Sequence, residues 1–80
     1  MEIKVGVAAE AIELDNVLEI KKFDREEYCA IKFVMKNVEG KKSLFGKVKP
    51  SVEKLINFSD NFDGRDKEFE KISQLLAAKK

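Results

Sequence analysis

The chain has 80 residues, of which 44% are hydrophobic and 39% are charged, and its formal net charge is +1. This length predicts one domain with one core, and the apolar fraction is too high for a disordered chain. No apolar run approaches the roughly 20 residues of a membrane-spanning helix, and residues 1–7 lack the pattern of a secretory leader. We therefore expect a folded, cytoplasmic protein without a membrane partner.

The residue types that are missing limit the chemistry. The sequence contains no histidine, which is the usual general base near neutral pH, and no glycine-rich phosphate-binding motif. Its one cysteine, Cys29, closes no internal disulfide and supplies too few ligands for a zinc centre. Because Cys29 lies in an apolar row, we expect it to be buried. These features predict a protein that is not an enzyme and holds no cofactor.

Alternating apolar and polar residues predict three strands in the first half of the chain. The first covers residues 2–8 and the second covers residues 17–23. The third, within residues 27–37, is the clearest, because its four alternate apolar side chains lie on one face. Residues 9–16 fit either a strand or a short helical link, and we favour the link because it ends in two turn-forming residues.

The second half has the spacing of two helices. Pro50 and Ser51 favour the start of a helix with Val52, Leu55, Ile56 and Ser59 on one face. A second helix is predicted over residues 65–78. The fold class is therefore predicted as α+β, with a small antiparallel three-stranded sheet in the N-terminal half packed against two C-terminal helices. The single domain, residues 1–80, would then comprise a β-rich half (1–40), a basic connection (41–50) and a helical half (51–80).

The basic connection is the strongest local charge imbalance, with four lysines and no acidic residue in residues 41–50. If Phe45 is exposed, such a segment can hold single-stranded nucleic acid through phosphate contacts and base stacking. In the alternative interpretation, the lysines face water while Leu44, Phe45 and Val48 turn into the core. The near-zero total charge favours this alternative, because dedicated nucleic-acid-binding domains are usually strongly basic.

Residues 59–70, SDNFDGRDKEFE, resemble the calcium loop of the EF-hand family. The resemblance places the ligands at Ser59, Asn61, Asp63, Arg65 (through its backbone carbonyl) and Glu70, with Gly64 at the turn. It implies a helix, a calcium loop and a second helix. Three positions depart from the pattern: Ser59 is uncharged, Asp66 replaces an apolar residue and Lys67 occupies the ninth place. Only two carboxylate ligands remain, so the resemblance implies a weak site.

The same stretch also fits a capped turn that needs no metal. Asp63 would accept hydrogen bonds from the first free N–H groups of the following helix, and Gly64 would allow a tight backbone. Asp66 and Glu68 would lie in the first turn, where negative charge suits the helix dipole. We favour the capped turn over the calcium site.

These observations leave a ranked set of functions. The leading hypothesis is a non-enzymatic protein-binding module, such as a small inhibitor or regulatory subunit, that acts through a sheet face or edge. Nucleic-acid binding through residues 41–49 is the alternative, weak calcium binding is the third, and a homodimer is open as an assembly state. The candidate partner-binding residues are Lys32, Lys36, Lys41, Lys42, Phe45, Lys47 and Lys49.

Overall fold

The structure, a computed structural model, describes residues 1–40 and 42–78. Within them the chain forms a two-stranded hairpin, an antiparallel three-stranded sheet of order β3-β4-β5, and one helix. The elements in chain order are β1 (Glu2–Val5), β2 (Glu10–Glu13), a 3-10 turn (Leu14–Asn16), β3 (Val17–Asp24), β4 (Cys29–Lys36), β5 (Ser51–Asn57) and α1 (Phe62–Ala78). The α+β class agrees with the prediction, but the elements that build it differ.

The prediction of two C-terminal helices is wrong, because Ser51–Asn57 is a strand. Ile56 lies opposite Ile31 and Val52 lies opposite Met35 in the antiparallel pairing of β5 with β4. The spacing of the apolar residues in this segment suits a helix, but the hydrogen bonds of a distant strand decide its conformation. The three-stranded sheet therefore consists of β3, β4 and β5, and α1 is the one helix in the part of the chain that is described.

The N-terminal segment forms its own hairpin outside that sheet. Strand β1 ends at Val5, earlier than predicted, and Glu10–Glu13 is a strand where we favoured a helical link. Gly6 has φ +81°, and a Cβ atom there would overlap Ile56 and the carbonyl of Asn57. The close approach lets the Val7 N–H donate a hydrogen bond of 3.2 Å to the Asn57 carbonyl. Glycine at this turn thus joins the hairpin to the end of β5.

The core lies on one face of the three-stranded sheet. On β4, Cys29, Ile31 and Phe33 are fully buried, which confirms the predicted apolar face and the buried cysteine. Helix α1 contributes Ile72 to the same core, and the N-terminal hairpin contributes Ile12. Burying a large apolar side chain stabilises the fold by about 1.5–3 kcal/mol, so this shared core accounts for the attachment of both elements to the sheet.

Arg65 ties the start of α1 to the end of the β3–β4 hairpin. Its side chain is only 3% exposed, and Nη1 donates hydrogen bonds of 3.2 Å to the carbonyl oxygens of Phe23 and Ala30. The same guanidinium contacts the Asp24 carboxylate, and its Nε lies 2.8 Å from Asp66 Oδ1. Burial alone would lower the pKa of Arg65, but the hydrogen bonds with the two carboxylates raise it above its ordinary value. The buried charge is therefore fully partnered.

The stretch between β5 and α1 is a capped turn, although the capping residue differs from the prediction. The Asn61 side-chain Oδ1 accepts a hydrogen bond of 3.0 Å from the Gly64 N–H, so Asn61 caps the helix. Asp63 lies in the first turn, where its charge suits the helix dipole. Upstream, the Ser59 carbonyl accepts a 2.8 Å hydrogen bond from the Cys29 N–H, which fixes the turn against β4.

Helix α1 has 17 residues, and it is amphipathic. Ile72 on its inner face is buried, whereas Lys67 and Lys71 are exposed. No helix in residues 1–40 and 42–78 is long and apolar enough to cross a bilayer.

Candidate functional site

The connection between β4 and β5 folds into a hairpin of its own, which we call the basic arm (residues 42–49). Lys42 and Val48 form an antiparallel bridge, and the Ser43 N–H donates a hydrogen bond of 2.8 Å to the Lys47 carbonyl. At the base of the arm, Asn37 Nδ2 donates a 2.8 Å hydrogen bond to the carbonyl of Lys49. These bonds give the basic segment a defined shape.

The tip of the basic arm presents two large apolar side chains to solvent. Leu44 and Phe45 occupy the middle positions of a turn that is closed by a 3.0 Å hydrogen bond from the Gly46 N–H to the Ser43 carbonyl. Gly46 has φ +78°, a left-handed conformation that glycine adopts without a steric penalty and that commonly follows such a turn. Leu44 is 103% exposed and Phe45 is 91% exposed, so neither turns into the core.

The lysines of the basic arm have no carboxylate partner within residues 1–40 and 42–78. Among the residues that the structure places, none forms an ion pair with Lys42, Lys47 or Lys49, and all three are exposed. The predicted site residue Lys41 lies outside the described residues. The arm therefore combines a solvent-exposed apolar tip with lysines that form no ion pair with any described residue.

A second candidate surface is the outer face of the sheet, which we call the open face. Side-chain alternation places Phe23, Lys32, Val34 and Leu55 on this face, opposite the core. Helix α1 and the N-terminal hairpin pack on the core face, so no described helix or strand covers the open face. Leu55 is 44% exposed, which leaves an apolar centre in contact with water.

Two lysines of the open face, Lys21 and Lys32, have local partners, in contrast to those of the arm. Lys32 Nζ lies 3.6 Å from Glu53 Oε2 and 5.9 Å from the centroid of the Phe23 ring. Lys21 Nζ lies 3.4 Å from Glu19 Oε1. Lys36, at the end of β4, is exposed opposite Ser51. The predicted site residues thus separate into two groups: Lys32 and Lys36 lie on the sheet, and Lys42, Phe45, Lys47 and Lys49 lie on the arm.

The two surfaces meet at the base of the arm. A shallow hollow of about 460 Å³ lies there, between Val34 and Glu53 of the open face and Lys49 of the arm. The last lysine of the arm therefore lies beside the edge of the open face.

The stretch that resembles a calcium loop joins a strand to a helix and not two helices. Asp63, Arg65 and Glu70 all belong to α1, where a seven-residue separation places Asp63 and Glu70 about 10 Å apart along the helix axis. The residues described contain no group of three or more histidine, cysteine, aspartate or glutamate side chains that could hold a metal ion. The observed geometry is that of a capped helix start.

Sequence reasoning missed the buried role of Arg65, which the EF-hand pattern placed at a loop position. A signal was available, because Arg65 lies four residues before Phe69 and seven before Ile72, on the apolar stripe of the helix. Cys29, which lies within reach of the charge of Arg65, is fully buried. Burial raises the pKa of the Cys29 thiol despite the opposing charge of Arg65. This cluster is therefore assigned to stability.

Comparison of the chain with protein-family models, curated proteins and solved structures finds no match.

Proposed function

We propose that this protein is a non-enzymatic protein-binding module of the cytoplasm, such as a small inhibitor or regulatory subunit, that binds its partner through the open face. One observation carries the proposal: the open face has a partly exposed apolar centre, at Leu55 and Val34, that no described helix or strand covers. Charged side chains surround this centre, which is the arrangement of a protein–protein interface with an apolar middle and a polar rim.

The charges around the open face suggest the chemistry of the partner. Three lysines and two glutamates surround the apolar centre: Lys21, Lys32, Lys36, Glu19 and Glu53. Lys49 adds a further positive charge beside the hollow. We therefore propose a polypeptide partner that presents an apolar anchor flanked by carboxylates. Lys32, already close to the Phe23 ring, would meet the partner at the edge of the apolar contact.

The test uses affinity capture from a native lysate, followed by direct binding measurements on the purified partner. Leu55→Asp places a charge in the apolar centre. It should weaken binding at least about ten-fold, because contacts at the centre of an interface contribute most of the binding energy. Val38→Asp, an exposed apolar position off this face, is the matched control and should leave binding unchanged. A partner that binds both variants equally would contradict the proposal, provided both melt at the wild-type temperature.

Nucleic-acid binding through the basic arm remains the alternative function, and it is favoured by one observation, the exposure of the Phe45 ring among lysines that have no ion-pair partner in the described part of the chain. Capture with and without nuclease separates the two functions. Recovery that is lost after nuclease treatment, together with an affinity that falls steeply as salt rises, would support the alternative. A sedimentation measurement addresses the homodimer in the same samples.

A further inference from the structure

We propose that the basic arm contacts the surface of an anionic lipid bilayer, with Leu44 and Phe45 entering the interfacial region and Lys42, Lys47 and Lys49 lying against the headgroups. The arm and the open face share Lys49 at the base of the arm, but the apolar tip at Leu44 and Phe45 is separate from the open face, so this inference does not depend on the proposed protein partner. It assigns a second binding element to the same small domain.

The shape of the tip supports a lipid phase as the occupant. Leu44 and Phe45 are almost completely exposed at the middle of a tight turn, and the tip is convex because both side chains project from the end of a two-stranded arm. A folded protein could bury both only in a cleft shaped to receive them. The boundary between headgroups and acyl chains accepts apolar side chains without such a cleft, and aromatic rings are well suited to it.

The charges of the arm fit the same surface. Lys42 and Lys47 flank the turn on its two strands, and Lys49 follows at the base. None of them is neutralised within the described structure, and residues 41–50 contain no acidic side chain. Each lysine near an anionic membrane surface strengthens binding by about five-fold, and the effect falls off within a Debye length. The apolar tip and the lysines would therefore act together.

Nucleic acid explains fewer of the same features. Phe45 can stack on a base, but Leu44 has no flat face for stacking. All cations of residues 41–50 are lysines, whereas arginine is the side chain suited to bidentate contacts with bases and phosphates. A headgroup layer requires only point charges near its surface, which lysine supplies. The lipid surface is thus the occupant that accounts for both tip residues and for the type of cation.

The inference departs from the expectation that the protein has no membrane partner. That expectation was based on the lack of a spanning segment, and an interfacial contact needs none. A single small apolar tip is a weak anchor, so the contact should be reversible and should weaken as salt rises.

The test measures how the full chain partitions onto unilamellar vesicles, made of phosphatidylcholine alone or mixed with phosphatidylserine, at low and at high salt. We expect binding to the mixed vesicles that is stronger at low salt, and little binding to phosphatidylcholine alone. Leu44→Ser combined with Phe45→Ser should weaken it at least about ten-fold, because both inserted side chains are lost. Lys47→Gln combined with Lys49→Gln should weaken it by about 25-fold if both lysines reach the headgroups.

Two matched controls separate the arm from general surface properties. Val38→Ser removes an exposed apolar side chain elsewhere, and Lys71→Gln removes an exposed lysine on α1; both should partition as the wild type does. Thermal melts verify that every variant is folded. The proposal is overturned if the wild type fails to bind mixed vesicles at low salt, or if the double tip variant binds as well as the wild type. Salt-sensitive binding to an oligonucleotide without binding to vesicles would overturn it in favour of nucleic acid.

Discussion

The helix–sheet junction, formed around Arg65 and Ile72 of α1, and the basic arm both combine cations with apolar side chains. These side chains are buried at the junction and exposed on the arm. At the junction, the cation Arg65 is 3% exposed and fully partnered, and the apolar Ile72 is buried. On the arm, Lys47 has no ion-pair partner among the described residues, and Leu44 is 103% exposed. Residue type alone therefore does not distinguish a group that holds the fold together from one that is free for an external partner.

The largest expected effect concerns the apolar side chains of the two regions. Ile72→Ala should lower the free energy of unfolding by about 3 kcal/mol, because it removes buried surface and leaves a cavity. Leu44→Ala should change it by less than about 0.5 kcal/mol, because the side chain packs against nothing. Equilibrium urea denaturation measures both. Similar losses for the two variants would mean that the tip of the arm is packed in solution, contrary to the exposure of Leu44 in the structure.

Substituting the cation should also destabilise the protein more at the junction than on the arm. Arg65→Met should cost about 2 kcal/mol of stability, because the carbonyl oxygens of Phe23 and Ala30 lose the hydrogen bonds that the guanidinium donates. Lys47→Met is the matched change on the arm and should be near neutral. Thermal unfolding of the two variants, at equal ionic strength, checks the difference. An Arg65→Met protein as stable as the wild type would show that its hydrogen bonds only offset the cost of burying the charge.

A smaller effect tests which residue caps α1, the helix that carries Arg65. Asn61→Ala should cost about 1 kcal/mol, because the Gly64 N–H loses its acceptor. Asp63→Ala removes only a favourable charge in the first turn and should cost about 0.5 kcal/mol. Chemical denaturation of both variants decides the order. The reverse order would restore the capping role that the sequence pattern gave to Asp63.

The smallest effect is a pH dependence at the junction. The hydrogen bond from Arg65 lowers the pKa of the Asp66 carboxyl, and the Lys22 ammonium adds to this. A carboxyl whose pKa is lowered by folding stabilises the native state above the unfolded pKa, near about 4, and this contribution is lost as the pH falls through the folded value. Asp66→Asn should therefore flatten the acid side of the stability profile. In an Arg65→Met background the same substitution should have a smaller effect.

The sequence predicted elements whose local pattern and tertiary environment agree. Strands β3 and β4 lie close to their predicted positions because period-two alternation reflects a sheet with one buried face. The C-terminal helix was also found, although it begins at Phe62 and not at Arg65. Capping by the Asn61 side chain starts the helix earlier than the apolar stripe alone indicates.

The sequence failed where distant contacts decide the structure. The apolar spacing around Ile56 fits a helix or a strand, and its pairing with Ile31 across the arm cannot be read from neighbouring residues. The candidate residues of the basic arm were identified by charge, but their hairpin geometry was not. The exposure of Leu44 depends on a turn that needs Gly46 in a left-handed conformation, which composition does not reveal.

The hydrogen bonds of residues 57–59 have a consequence for the order in which the chain folds. The Asn57 carbonyl accepts a hydrogen bond from the Val7 N–H in the turn of the N-terminal hairpin. The Ser59 carbonyl accepts one from the Cys29 N–H of β4. During synthesis both partners emerge well before this segment, so neither can complete its native contacts until the chain has grown past the arm. Until then the apolar face of β4, with Ile31 and Phe33, lacks the cover that α1 supplies, and nascent or truncated chains should be prone to aggregate through it.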